Sequence, residues 1–117
     1  MSDISASELD LLTFFEVEPT LLDKAESWIY NDALYEIRKG EVDLSFAVSP
    51  CNKDVRIMLK CGGTVMYELN SMALEDVKYH NDDGNEFLEI VILSTDKLLL
   101  KLKPAISLSH IVDSKTP

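Results

Sequence analysis

Val42-Asp43-Leu44-Ser45-Phe46-Ala47-Val48 alternates strictly: Val42, Leu44, Phe46 and Val48 on one side, Asp43, Ser45 and Ala47 on the other. A period of two is the signature of a half-buried strand, because successive side chains in a strand point to opposite faces. Val42, Leu44, Phe46 and Val48 are therefore expected to face the core together. Lys39-Gly40-Glu41 before the stretch and Ser49-Pro50 after it read as breaks.

The same period extends in both directions. Ala33, Tyr35 and Ile37 alternate with Leu34, Glu36 and Arg38, and Val55, Ile57 and Leu59 with Arg56, Met58 and Lys60. Gly62-Gly63 reads as a hairpin turn, since glycine tolerates the positive φ of tight turns. Val65, Tyr67 and Leu69 follow, then Val77–Tyr79, a turn at Asn81-Asp82-Asp83-Gly84-Asn85, and a run from Phe87 to Leu93. That run is apolar on both faces apart from Glu89, so it should lie inside a sheet. Leu98, Leu100 and Leu102 come next, with Lys101 and Lys103 pointing to solvent. After Pro104 a last short run carries Ile106, Leu108 and His110.

Upstream, Ser7 suits a helix N-cap with Glu8 and Asp10 in the first turn, where the helix dipole favours acids. Leu11, Leu12, Phe14 and Phe15 supply an apolar stripe. The helix should stop near Val17, because Pro19 disfavours helical geometry before it. Thr20 to Ala25 reads equally as a short helical turn or a connection. The expected fold class is α+β: one N-terminal helix, then about seven antiparallel strands forming a curved sheet or a sandwich.

The chain has 117 residues, 46% apolar and 27% charged, which fits a single domain over 1–117 with residues 113–117 as a loose tail. No apolar run approaches the ~18 residues of a membrane span. The N-terminus lacks the basic and apolar regions of a signal peptide, so a cytoplasmic protein with reduced thiols is expected. Cys51 and Cys61 bracket an extended segment whose ends lie on the order of 30 Å apart. A disulfide needs Cα atoms within ~7 Å, so the two should stay unlinked.

The formal net charge is −10, unevenly placed. Residues 1–36 hold nine acids against one base, Lys24, a net of −8; the remaining residues hold twelve acids and ten bases. Such a field opposes nucleic-acid binding and would steer a basic partner; a merely solvated acidic face is the bland reading.

Motifs for catalysis are missing. Gly62-Gly63 lacks the phosphate-loop pattern, and no serine sits in a Gly-x-Ser-x-Gly elbow. Glu75-Asp76 and Asp82-Asp83 are adjacent, so in a strand their carboxylates would diverge. Asn81 to Asn85 carries oxygen ligands but not the twelve-residue calcium pattern, and an Asp-Gly turn explains it. His80 and His110 are far apart in sequence and the cysteines form no Cys-x-x-Cys pair, so no metal or cofactor is expected. His80 reads as exposed ahead of a turn and His110 as half-buried.

Glu26-Ser27-Trp28-Ile29-Tyr30-Asn31-Asp32 mixes aromatics, which are enriched at binding hot spots, with acids. The expected partner site has Glu16, Glu18, Glu26 and Asp32 as its rim and Trp28 or Tyr30 as its apolar anchor. Burial of Trp28 and Tyr35 in the core is the competing reading. Failing this site, the sheet face bearing Arg56, Met58 and Met66 is the alternative.

The small size, acidic balance and helix-then-sheet layout resemble immunity proteins of bacterial toxin systems, including contact-dependent growth inhibition. The stretch from Leu74-Glu75-Asp76-Val77-Lys78-Tyr79 through Leu100-Lys101-Leu102-Lys103-Pro104-Ala105-Ile106-Ser107-Leu108 is similar to them in cadence. The resemblance spans most of the chain, rests on pattern, and carries no functional residue across. It implies a non-enzymatic protein that occludes the active site of a partner toxin, a basic protein such as a nuclease. Two other functions stay open: a small-molecule-binding or enzymatic domain with a pocket in the curved sheet, and a structural subunit of a larger assembly.

Overall fold

The computed structural model describes residues 4–112. The expected tail at 113–117 lies outside them. Helix α1 spans Glu8–Phe15. Strands follow as β1 (Thr20–Leu21), β2 (Ala33–Lys39), β3 (Val42–Ser49), β4 (Asp54–Cys61), β5 (Thr64–Ser71), β6 (Asp76–Asp82), β7 (Asn85–Leu93), β8 (Asp96–Lys101) and β9 (Ser107–Val112). A 3₁₀ turn at Trp28–Tyr30 precedes β2.

Nine strands stand among the described residues where about seven were expected. One addition is β1, whose two residues pair Thr20 with Leu34 and Leu21 with Ala33; so short a strand cannot display a period. The segment around Val77–Tyr79 is a full strand, and the turn after it tightens to Asp83-Gly84. Both residues there have positive φ, 50° and 85°, the geometry a two-residue hairpin needs. Asn81 Oδ1 accepts the Gly84 N–H at 3.1 Å and braces it.

The helix begins as expected. Ser7 Oγ accepts the Asp10 N–H and Asp10 Oδ2 accepts the Ser7 N–H, both at 3.0 Å, a reciprocal capping box. It ends two residues before Val17, at Phe15, where Glu16 takes a left-handed φ of 60°.

The strands form two antiparallel meanders, β1-β2-β3-β4-β5 and β6-β7-β8-β9, each in sequence order. Strand β7 lies between β6 and β8, as its two apolar faces require. One core cluster joins the sheets: Tyr35, Phe46, Val55 and Ile57 from the first, Val77, Leu88, Ile90, Leu98 and Leu100 from the second. Leu44, Phe46 and Val48 are buried and Val42, at the strand's start, is half-buried. Each fully buried Phe or Leu contributes roughly 1.5–3 kcal/mol.

Helix α1 ties the sheets together. Phe15 stacks on Tyr35 with centroids 4.7 Å apart and lies 5.2 Å from Phe46, both in the first sheet. Phe14 meets Tyr79 of the second sheet at 6.2 Å, edge to face. The segment ahead of α1 is fastened to β6: Ala6 N–H donates to the Val77 carbonyl at 2.8 Å and Ser5 N–H to Asp76 Oδ1 at 2.6 Å. Cys51 and Cys61 are both free and flank β4 at opposite ends.

Candidate protein-binding surface

The loop between β1 and β2 is organised by a single buried amide. Asn31, the polar residue of the interior, donates through Nδ2 to the carbonyls of Asp23 at 2.6 Å and Glu26 at 2.9 Å. Its Oδ1 accepts the N–H groups of Asp23 at 3.1 Å and Asp32 at 3.0 Å. Four bonds satisfy the amide completely, so its burial fixes the loop rather than straining it. Sequence periodicity carries no signal for this role.

The 3₁₀ turn separates the two candidate aromatics. Trp28 is 8% exposed and its Nε1 donates to the Tyr35 hydroxyl at 3.0 Å. Tyr30 is 61% exposed. Trp28 and Ile29, buried and half-buried, do not alternate as strand residues would, because the chain turns here. Trp28 thus supports the surface from below and Tyr30 is the aromatic that a partner can reach.

The four acids fall into two kinds. Glu16 meets Lys103 Nζ at 2.7 Å, and this hydrogen bond and charge hold its carboxyl below the usual carboxylate range, while the lysine is raised in turn. Asp32 meets Arg56 Nη2 with its two oxygens at 2.5 and 2.6 Å. Glu18 and Glu26 have no cationic partner among the described residues; Glu26 Oε1 accepts the Ser27 N–H at 3.0 Å. Asp32 lies beside β1 with Thr20, Leu21, Leu22 and Leu34, Glu26 is tied to the same loop through Asn31, Glu18 lies beside α1 with Glu8 and Leu9, and Glu16 turns to Lys103.

Arg56 and Met58 lie on the outer face of the first sheet, with Leu34, Ser45, Ala47, Glu68 and Asn70 beside them. Met66, at a bulge where the β4–β5 register shifts, is exposed. The Asp32–Arg56 pair joins this face to the β1 edge, so the two expected surfaces are continuous. That link spans 24 residues of sequence and has no local signature.

The two histidines pair with carboxylates of the second sheet. His80 Nε2 and Lys97 Nζ both contact Glu89, at 2.8 and 3.1 Å. Burial pushes Glu89 up, but hydrogen bonds and charge from His80 and Lys97 outweigh it and its pKa is lowered. His80 stacks on Phe87 and is half-buried rather than exposed, whereas His110, exposed rather than half-buried, pairs with Asp96. Each histidine was expected in the other's setting, because cross-strand neighbours decide exposure and sequence position does not reveal them. Among the described residues no three His, Cys, Asp or Glu side chains converge to hold a metal ion. No helix among them is long and apolar enough to cross a membrane.

No family model matches the chain, and no curated protein matches it. Among solved structures, a chain of the contact-dependent growth inhibition toxin – immunity protein complex from Klebsiella pneumoniae 342 has a similar structure, with a TM-score of 0.73. The alignment covers 89% of this chain and 91% of that chain, at 17% identity. The resemblance to toxin–immunity systems drawn from the sequence therefore stands at the level of fold.

Proposed function

We propose that this chain is the immunity member of a toxin–immunity pair: a non-enzymatic, cytoplasmic inhibitor that covers the active site of a basic toxin. The observation that carries this reading is the fold shared with a chain of a toxin–immunity complex, over nearly the whole length of both. The charge supports it from an independent side. The net −8 of residues 1–36 gives the β1 edge a field that attracts a basic protein and repels nucleic acid. Tyr30 serves as the anchor, Glu18 and Glu26 bond the partner's cations, and Glu16 and Asp32 add to the field.

The test is co-expression with the product of the neighbouring reading frame, followed by co-purification and measurement of association at several salt concentrations. A stable complex whose on-rate falls steeply with salt is expected. The absence of any protein partner, or association indifferent to salt, rejects the reading.

A further inference from the structure

Between α1 and the segment leading into β1 lies an open cleft of about 280 Å³, lined by Glu8, Leu9, Leu12, Glu18, Pro19 and Tyr35. Leu9 and Leu12 share the flank of the helix, and Pro19 closes the opposite wall. Leu9 is 69% exposed. A single exposed leucine means little, but here it continues an apolar wall that ends in two carboxylates. Neither Glu8 nor Glu18 has a cationic partner among the described residues. Tyr35 closes the cleft from the protein side, and its hydroxyl accepts the Trp28 indole N–H at 3.0 Å. Tyr35 is fully buried. Burial raises its pKa to about 12 against the opposing Trp28 hydrogen bond, and the charges of Glu8 and Glu18 add to the rise. Both carboxylates are therefore felt at the Tyr35 hydroxyl.

We propose that this cleft takes one lysine or arginine side chain of the protein partner, its charge held between Glu8 and Glu18 and its aliphatic stem laid on Leu9, Leu12 and Pro19. The inference rests on the immunity reading for the partner being a basic protein. The chemistry selects the occupant. Two carboxylates repel phosphate and nucleic acid. A metal ion needs more oxygen ligands than two carboxylates and a neutral phenol offer, and gains nothing from apolar walls. A long basic side chain matches both halves of the cleft, since its stem is apolar and its head charged. Carboxylate–cation hydrogen bonds are stronger than neutral ones, and more so beside a low-dielectric wall. The volume falls just below the ~300–1,000 Å³ of small-molecule sites, which suits one inserted side chain.

The chain carries its own reporter. Trp28 is the sole tryptophan, so the protein gives one indole N–H resonance, and its acceptor is the Tyr35 hydroxyl, where both carboxylates are felt. The experiment titrates ¹⁵N-labelled protein with the blocked tripeptide Ala-Arg-Ala and with the same peptide carrying neutral citrulline. The arginine peptide should shift the indole resonance saturably at millimolar concentration, and added salt should weaken the effect. The citrulline peptide and the Glu8→Gln/Glu18→Gln variant should give no saturable shift. An equal response from citrulline, or from the variant, overturns the proposal, as does no response to arginine. Both substituted positions are exposed, and an amide spectrum of the free variant that matches the parent's at positions away from the cleft verifies its fold. The co-purified complex then separates the two readings. A basic partner that binds the variant as tightly as the parent overturns the cleft and leaves the immunity reading standing. An arginine-specific shift without any basic partner upholds the cleft's chemistry and removes the immunity reading.

Discussion

Arg56 on β4 reaches across the intervening strand β3 to the carboxylate of Asp32, which precedes β2. Its ladder neighbour on β3 is Ala47, which points away from the core and yet is 7% exposed. A small side chain at 47 leaves room for the guanidinium to pass. The pair is partly solvated, so its net value is modest. A double-mutant cycle with Arg56→Met and Asp32→Asn should give a coupling of about 0.5–1 kcal/mol at low salt, shrinking as salt rises. Zero coupling in urea titrations would mean the pair adds nothing to the folded state.

The two kinds of acid at the β1 edge should separate kinetically. Neutralising any one of Glu16, Glu18, Glu26 or Asp32 removes one unit of charge, so each should slow association with a basic partner to a similar degree. The quadruple neutral variant should lose on the order of tenfold in on-rate at low salt. Only Glu18→Gln and Glu26→Gln should also speed dissociation, because the other two carboxylates already bond Lys103 and Arg56. Tyr30→Ala should raise the off-rate by roughly 30-fold, the equivalent of ~2 kcal/mol, with little salt dependence. Parent-like rates for all six variants would place the interface elsewhere.

Phe46 is fully buried and packs against Phe15 and Tyr35. Phe46→Ala should destabilise the fold by about 3–5 kcal/mol through the cavity it leaves. A denaturant midpoint shift worth less than ~1 kcal/mol would show that β3 turns its other face inward.

Tyr35 makes stability fall at high pH. Its ordinary pKa of 10.0 rises to about 12 in the fold, chiefly through burial. Between these values the folded chain holds a proton that the unfolded chain has lost. The stabilisation is complete below pH 10 and drains away as pH climbs to about 12. Tyr35→Phe should reduce this slope and leave the part that comes from Tyr67 and Tyr79, which burial also raises. It should also cost about 1–3 kcal/mol at neutral pH, because the buried Trp28 N–H loses its acceptor. A slope undiminished in Tyr35→Phe would assign the titration to another group.

Much of the sheet was readable because β3, β4 and β7 are long enough to repeat. Leu44, Phe46 and Val48 declare a buried face by recurrence alone. Strand β1 is two residues long and has nothing to recur. Trp28 stayed undecided because an aromatic beside acids reads the same on a surface as in a core. Its fate depends on a 3₁₀ turn and on Tyr35 seven residues later. The acidic field was visible as a sum over residues 1–36, but Lys103 and Arg56, which neutralise two of its members, come from distant strands. The cleft beside α1 joins a helix face to a proline-bearing connector, and no one-dimensional pattern links them.

The meander order also bears on how the chain reaches this structure. Every ladder joins strands adjacent in sequence, so each hairpin closes only a short loop, the kind of contact that forms early and fast. Among the described residues no ladder hydrogen bond connects one sheet to the other. On a ribosome, β1 to β5 can therefore zip up while the strands that cover them are still unsynthesised. Until Val77 to Leu100 emerge, Tyr35 and Phe46 have Phe15 of α1 as their cover, and the rest of that apolar face, Val55 and Ile57 among it, lies open to water. That interval, rather than the finished protein, is when this chain is most exposed to aggregation and most in need of a chaperone.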